Sequence, residues 1–468
     1  MASQKLMVII IGAGEVGKGL ARRLTAEGHQ VKIIDNNPVI LADIESKLDV
    51  LTVAGNGASA SVLLQAGIEN ADLFIGVSDN DACNLLSCAI VKQFNVMRTI
   101  ARVRSEDYLL PDRSHYSNAM NIDLIINPDE VAAIELYDLL ENPIANSVAD
   151  FAGGRLKLVG FRATIASPIC NRTLQELPEL GFSDSLLIGS LVRGNEVIIP
   201  RGDTRVIPGD QVYVIVDSAS LDKLNKLGGI AARELRKVVI VGASRVSFFL
   251  AEKLKNSGAN LILIDQDEAR CEQFAAELEH ATILHGDGTD ITMLNEAGVN
   301  EADGFVAASQ DDETNILSAL LAKEQGAKRV ISLLRKPQYI PLLAHIKPID
   351  VAVNPRLATI NAIMRYVRQG KILTMATLAE DKAEAIEVVV DSESVLIGKK
   401  LKDGFIPRDI LLGAIVRENE VIIPKGEDEL RANDQAIVIA LKDKISKVDE
   451  LFSRKKPPFG LKQFFGSL

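Results

Sequence analysis

The chain has 468 residues, 47% hydrophobic and 25% charged, with a net charge of −11. This composition excludes a disordered or fibrous chain, and at roughly 150 residues per domain it predicts about three domains. An acidic chain also argues against nucleic acid as the main ligand and against broad attachment to anionic lipid, since both need a basic surface.

In chain order, the first element is a strand at 7–11, almost all apolar, as expected for a strand covered on both faces. Gly12-Ala13-Gly14-Glu15-Val16-Gly17 follows it directly. A helix is expected at 15–27, with Val16, Leu20 and Leu24 on one face. Further short Val/Ile-rich runs predict strands at 31–34, 50–53, 73–77, 99–103 and 124–126. A longer helical stretch covers 128–140 and ends near Asn142-Pro143. Strands alternating with helices predict βα units and a parallel sheet. Beyond it, strands are expected at 157–165, 186–193, 196–199 and 211–216. Gly194-Asn195 reads as a tight hairpin turn, and Pro208-Gly209-Asp210 as another turn. With one helical pattern near 173–177, this part reads as a small α+β module. The polar stretch 221–236, with Gly228-Gly229, is expected to be a linker.

The same text then begins again. LMVIIIGAGEVGKGLARRLTAEGHQVKIID, ending at Asp35, recurs as KVVIVGASRVSFFLAEKLKNSGANLILID, ending at Asp265. GNGASASVLLQAGIENAD, from Gly55, matches GDGTDITMLNEAGVNEAD, from Gly286. SDNDACNLLSCAI matches SQDDETNILSALL, and Asn127-Pro128 recurs as Asn354-Pro355. LVRGNEVIIPRGD, from Leu191, matches IVRENEVIIPKGE, from Ile415. The chain is two copies of a unit of about 225 residues, so the repeat replaces three domains by two units and four lobes. The expected fold class is α/β: two tandem units, each a Rossmann-like doubly wound parallel sheet followed by a small α+β C-terminal lobe. The expected boundaries are 1–143 and 144–227 for the first unit, 228–370 and 371–455 for the second, and 456–468 for a tail.

Gly12, Gly14 and Gly17 lie between a strand and a helix, the context that makes this spacing informative. Gly12 permits the turn, Gly14 lets backbone approach a pyrophosphate, and Gly17 lets helix and strand pack closely. The helix N-terminus offers free N–H groups and a positive dipole to phosphates. Asp35 ends the second strand, where an acid can bind ribose hydroxyls and repel a 2′-phosphate, favouring NAD(H). The segment also approaches a P-loop, but Gly19 stands where the Mg²⁺-binding hydroxyl is needed. The second copy departs from the pattern: Gly242-Ala243-Ser244-Arg245-Val246-Ser247 keeps only the first glycine, although Asp265 is retained. A side chain at Ser244 is expected to crowd a pyrophosphate, Ser247 to loosen the helix–strand contact, and Arg245 to be able to contact a phosphate.

A dehydrogenase needs an acid or base beside the nicotinamide. His29, His115, His280, His285 and His345 show no metal spacing, and no HExxH, GxSxG or Tyr-x-x-x-Lys occurs. A fingerprint without a reaction partner suggests a sensor more than a catalyst. Asn56-Gly57, Ser78-Asp79 and Arg102 or Arg104 fall at carboxyl ends of strands, where such folds bind ligands; each is equally readable as a cap or a surface ion pair. Cys83, Cys88, Cys170 and Cys271 form no CxxC pair, and Cys83 and Cys88 read as core residues. With no apolar run of 18 residues and no signal peptide pattern at 1–11, a cytosolic protein with reduced thiols is expected.

The order IIIGAGEVG, IID, GNG, AGIENADLFIGVSDND, ARVRS and NP, then VRGNEVIIPRGD and PGDQVYVI, resembles the RCK (also called KTN) regulatory domains. Two such units in one chain are similar to the NAD-binding regulatory subunits of Trk-type potassium-uptake systems of bacteria and archaea. The resemblance implies a separate membrane potassium-transport subunit, of TrkH or TrkG type, as partner. It implies assembly of the regulator as a dimer or tetramer ring, peripheral on the inner face of the cell membrane. It implies NAD(H), with ATP or ADP as further ligands, at Gly12 to Val16, Asp35, Asn56, Gly57, Ser78, Asp79 and Arg102. The matching positions are Gly242 to Val246 (Gly242, Ala243, Ser244, Arg245, Val246), Asp265, Asp287, Gly288, Ser309 and Gln310. Arg102 is matched by Leu333, which implies one lost phosphate contact. Ligand binding is expected to shift the lobes across a hinge at 128–143. Two rival readings are an NAD-dependent oxidoreductase and a scaffold with a vestigial nucleotide site. The tail from Arg454, with Phe459, Phe464 and Phe465, could dock on a partner or membrane surface, or fold back on its own domain.

Overall fold

The structure is a computed structural model that describes residues 5–108, 119–181, 185–229, 234–339, 349–367, 372–378, 382–418 and 420–452. The tail from Arg454, with its three phenylalanines, and His115 and His345 lie outside them.

The first lobe alternates β1 (Met7–Ile11), α1 (Glu15–Ala26), β2 (Gln30–Asp35), α2 (Pro38–Glu45), β3 (Leu51–Ala54), α3 (Ala60–Gln65), β4 (Leu73–Gly76), α4 (Asp81–Lys92), β5 (Arg98–Arg102), β6 (Leu124–Ile126) and α5 (Pro128–Glu141). Its six strands run parallel in the order β3-β2-β1-β4-β5-β6. Val8, Ile9 and Ile10 of β1 are fully buried, which a helix layer on each face of the sheet requires. Helix starts follow from capping chemistry. Asn37, Asn80 and Asn127 each accept a backbone N–H of the helix they precede, and Pro38 and Pro128 take the first helical position. The strand order reverses between β1 and β4, so their connections leave on opposite faces and a crevice opens at their carboxyl ends.

The next lobe holds β7 (Ser147–Phe151), β8 (Leu156–Arg162), β9 (Leu186–Arg193), β10 (Glu196–Ile198), β11 (Gln211–Asp217) and α6 (Leu221–Gly228), with strand order β10-β9-β11-β8-β7. Gly194 (φ 58°) and Gly209 (φ 97°) make the two expected turns. Two expectations fail here. Residues 221–228 are a helix of this lobe, not part of a linker, because Leu224 and Leu227 bury themselves in it. Strand β7 had not been anticipated, since only Phe151 of its five residues is buried.

The third lobe repeats the first: β12 (Lys237–Val241), α7 (Arg245–Leu254), β13 (Asn260–Asp265), α8 (Glu268–Glu277), β14 (Ala281–His285), α9 (Ile291–Glu296), β15 (Gly304–Ala307), α10 (Asp312–Glu324), β16 (Arg329–Leu333), β17 (Val351–Val353) and α11 (Pro355–Val367). Its order is β14-β13-β12-β15-β16-β17. The fourth repeats the second with β18 (Ile372–Leu378), β19 (Ala383–Val389), β20 (Ile410–Arg417), β21 (Glu420–Ile422), β22 (Gln435–Leu441) and α12 (Ile445–Phe452), ordered β18-β19-β22-β20-β21.

The lobes group by kind. The described residues within 5–143 and 234–367 form one compact unit; those within 144–229 and 372–452 form the other. In the first unit the closing helices are exchanged. Helix α5 of the first lobe packs on α7 of the third, and α11 of the third packs on α1 of the first. Ile360, Ile363, Met364 and Val367 thereby complete the first lobe's core. Gly19 of α1 is the complement: a β-carbon there would overlap the Ile360 side chain. The segment expected to hinge is thus mostly a helix docked on the neighbouring lobe. In the second unit the two small lobes share a core that includes Phe151, Leu158 and Ile215 together with Ala385, Ile437 and Ile439.

Candidate functional site

The crevice of the first lobe has a volume of about 610 Å³. Six of the expected residues line it: Gly12, Asp35, Asn56, Gly57, Ser78 and Asp79. They come from the carboxyl ends of β1, β2, β3 and β4, as the switch point requires.

Gly12 has φ 99°, and a β-carbon on it would lie 2.6 Å from the Ser78 nitrogen, so only glycine fits. A β-carbon on Gly17 would run into the Gly12 carbonyl oxygen. Gly14 differs from both: a β-carbon on it would meet no atom within 4 Å. That open space lies at the N-cap of α1, which carries no side-chain cap. The first-turn N–H groups are left for an anionic ligand, and the helix dipole favours one. Glu15 is exposed, whereas Val16 packs in the core and can offer only its backbone.

Asp35 fixes the loop. Its Oδ2 accepts the Ala13 N–H at 2.7 Å and its Oδ1 accepts the Asn37 N–H at 2.8 Å. The carboxylate is half-buried and retains lone pairs for ribose hydroxyls. Asn56 accepts the Ala58 N–H at 3.0 Å, and Gly57 sits against the Ile11 side chain where a β-carbon would not fit.

Arg102 does not line the crevice. It is 4% exposed, and its guanidinium donates to the Ser78 carbonyl at 3.1 Å and to Asp79 Oδ1 at 2.8 Å. Burial pulls its pKa down, as does nearby Arg104, and Asp79 opposes this. Arg102 positions the Ser78–Asp79 turn. Sequence reasoning missed a second positioning residue, Asn84. Fully buried on α4, it accepts the Ser78 N–H at 2.9 Å and donates to the Ser78 and Arg102 carbonyls, each at 2.9 Å. The signal was present in the repeat, because Asn315 makes the same bonds to Ser309 and Leu333.

Cys83 is half-buried: it packs against the first lobe's core, as expected, and also lines the crevice. Burial raises the pKa of its thiol. Cys88 is fully buried.

The third lobe keeps the frame and changes the chemistry. Gly242 has φ 103°, and Asp265 accepts the Ala243 N–H at 2.5 Å and the Asp267 N–H at 2.8 Å. Asp287 accepts the Thr289 N–H at 2.8 Å, and Val246 is buried like Val16. Gly288 again lies against a β1-type side chain, here Val241. Ser309 is held by Asn315, and Gln310 follows it in place of Asp79. The expectation that Ser247 loosens the helix–strand contact is not met. The Ser247 hydroxyl donates to the Gly242 carbonyl at 2.5 Å, replacing close packing by a hydrogen bond. Arg245 lays its guanidinium over the rings of Phe248 and Phe249, at 4.6 and 5.2 Å. The role that Arg102 plays toward Ser78 is not lost with Leu333. Arg335, two residues on, donates to the Ser309 carbonyl at 2.7 Å.

His280 and His285 bond to the Ala251 and Gln266 carbonyls through Nε2, at 2.9 and 3.1 Å, which accounts for both structurally. Among the described residues, no cluster of three or more His, Cys, Asp or Glu could hold a metal ion, and no helix is long and apolar enough to cross a membrane.

The TrkA-N domain family matches residues 8–128 and 238–355, and the TrkA-C domain family matches 158–228 and 385–453. A Trk system potassium uptake protein TrkA from Halomonas elongata is 34% identical over 456 residues, 96% of this chain and 98% of that one. A Trk system potassium uptake protein TrkA homolog from Archaeoglobus fulgidus is 35% identical over 448 residues, 96% of this chain and 100% of that one. Among solved structures, the GsuK RCK domain superposes with a TM-score of 0.59 at 17% identity, covering 96% of this chain and 95% of its own. The GsuK channel bound to NAD superposes with a TM-score of 0.60 at 17% identity, covering 96% of this chain and 79% of its own. These likenesses establish the tandem RCK-type fold.

Proposed function

The chain belongs to the TrkA family, and from that premise we propose that it is a regulatory subunit of a Trk-type potassium-uptake system, sensing NAD(H) or an adenine nucleotide in its first Rossmann crevice. The observation that carries the sensing is the open space at Gly14. It lies before an uncapped helix N-terminus, in a lobe whose crevice of about 610 Å³ is lined by Asp35. A pyrophosphate fits the space, and a ribose fits the carboxylate. The Gly14 to Gly17 N–H groups would hold phosphate, Asp35 would take the ribose hydroxyls, and Asn56, Gly57, Ser78 and Asp79 would form the floor. A 2′-phosphate would meet Asp35 as a like charge, so NAD(H) is favoured over NADP(H).

The bound nucleotide supplies no chemistry in this reading; it supplies differential affinity for two conformations. The element it biases is the pair of exchanged helices. Helix α1, whose N-terminus receives the phosphates, is packed along its length by α11 of the third lobe. A ligand that pulls α1 toward the crevice therefore acts on the third lobe as well. The response passes to a separate membrane potassium-transport subunit of TrkH or TrkG type, against which the regulator sits as a dimer or tetramer ring. That places the chain at the cytoplasmic face of the membrane.

Purified full-length protein should show a thermal shift with NADH, NAD, ATP or ADP, and Asp35→Ala should remove it. No shift with any of the four would end the sensing proposal. Copurification of the chain with a membrane potassium transporter tests the partner.

A further inference from the structure

The two Rossmann lobes carry the same frame, and the N-terminus of the first helix is one of the places where their chemistry differs. In the first lobe, Gly14 stands at the N-cap of α1, no side chain caps the helix, and the place where a β-carbon would lie is open. In the third lobe, Ser244 stands at the matching N-cap of α7. Its hydroxyl accepts the Ser247 N–H at 3.3 Å and lies 3.1 Å from the Ser247 hydroxyl. The Ser247 hydroxyl in turn bonds the Gly242 carbonyl. Both serines are buried, at 5% and 0% exposure.

A phosphate seated at a helix N-terminus needs free N–H groups, and it needs room for its oxygens against the backbone. Ser244 removes both. It occupies the space that Gly14 leaves open, and it uses one of the N–H groups that the phosphate would use. Displacing it would leave its own hydroxyl and the buried Ser247 N–H without this partner. Arg245 offers no compensation in this conformation, since its guanidinium is stacked on two phenylalanine rings. The ribose half of the crevice survives in Asp265, so the block is specific to the diphosphate.

We infer that Ser244 and Ser247 form an internal cap that excludes a nucleotide diphosphate from the third lobe, so that each chain takes one such ligand, in its first lobe. The third lobe is then a fixed counterpart that receives the signal through the exchanged helices. This rests on the reading of the first crevice as a nucleotide site.

The test is the stoichiometry of NADH and ADP on the full chain, by isothermal titration calorimetry or equilibrium dialysis. The wild type should bind one equivalent, Asp35→Ala none, and the doubly substituted Ser244→Gly, Ser247→Gly chain two. Circular dichroism of each variant establishes that it is folded before binding is measured. Two equivalents on the wild type, with one remaining in Asp35→Ala, would overturn the cap while leaving the first site intact. No binding by the folded wild type would instead sink the nucleotide reading itself. A folded double-glycine variant that still bound one equivalent would overturn the assignment of the block to these serines.

Discussion

Ile439 of the fourth lobe occupies the space that Gly189 of the second lobe leaves free: a β-carbon on Gly189 would overlap its Cδ1. The repeat makes the relationship reciprocal, because Ile215 of the second lobe lies in the same way against Gly413 of the fourth. Ile439 and Ile215 are almost wholly buried, in the core that the small lobes share. Two sheets pack closely here because each has given up a side chain for the other's isoleucine. At both places the strand also shifts register, between Tyr213 and Val214 and between Leu412 and Ala414.

The consequence is a coupled pair. Gly189→Ala should destabilise the protein by about 1–3 kcal/mol, because the added carbon overpacks a dense core. Adding Ile439→Val should recover part of that loss, although Ile→Val alone also destabilises. Urea denaturation of the single and double variants reads the coupling. Strictly additive costs would refute the contact as the seam's organising feature.

Asn84 leads to a second expectation. Asn84→Ala removes the acceptor of the Ser78 N–H and the donor to two carbonyls, all within the protein. Stability should fall by about 2–3 kcal/mol. Affinity for NADH should fall too, since Ser78 and Asp79 line the crevice. Asn315→Ala should have the same stability cost and leave NADH affinity unchanged. Titration of both variants separates the cases, and equal loss of affinity in the two would contradict the asymmetry between lobes.

Much of this was legible in the residues. Strand β1 was read with its observed bounds, because an unbroken apolar run between a polar N-terminus and a glycine loop has few other solutions. Gly12 and Asp35 were legible for the same reason: each has a backbone or charge requirement that few residues meet. Helix α6 was not, because LDKLNKLG shows only a few leucines among polar residues, and two of them carry its burial. Asn84 was hidden because a lone amide in a helix ordinarily faces water. Arg335 was hidden because the repeat aligns Arg102 with Leu333, and a long side chain can do the same work from two residues away.

Glu135 gives the protein a pH dependence. It lies on α5, in the unit where that helix packs against α7 and α11. Burial raises its carboxyl pKa to about 7, against a partial counter-effect of Arg365 and with Asp138 adding to the rise. An acid with a raised folded pKa favours the protonated native state. Its penalty is absent below the unfolded value of about 4.3 and grows as pH rises toward 7. Wild-type stability should therefore fall across that window relative to Glu135→Gln, by at most about 3 kcal/mol. Melting temperatures measured from pH 5 to 8 test it, and parallel curves for the two proteins would rule it out.

The small lobes hold the opposite case. Arg193 grips Asp210 through two bonds, Nε to Oδ1 and Nη2 to Oδ2, each 2.9 Å. Asp210 is 1% exposed and also accepts the Ile207 N–H at 3.0 Å, which closes the turn at Gly209. Arg417 and Asp434 repeat the pair in the fourth lobe at 2.9 and 2.8 Å. Burial would raise the Asp210 pKa, but the bonds from Arg193 and the Ile207 N–H outweigh it and hold the carboxyl below its ordinary value. The stabilisation is present at neutral pH and is lost as pH falls below about 4, where the folded carboxylate takes its proton. Arg193 keeps partial hydration, so Asp210→Asn should cost less than a fully buried pair would, about 2 kcal/mol at pH 7. The difference from wild type should shrink in acid. Arg193→Lys should lose most of the same energy, because an ammonium cannot span both oxygens in that geometry. Denaturation at pH 7 and in acid decides the matter: a cost for Asp210→Asn that does not change with pH would assign the effect to packing instead of charge.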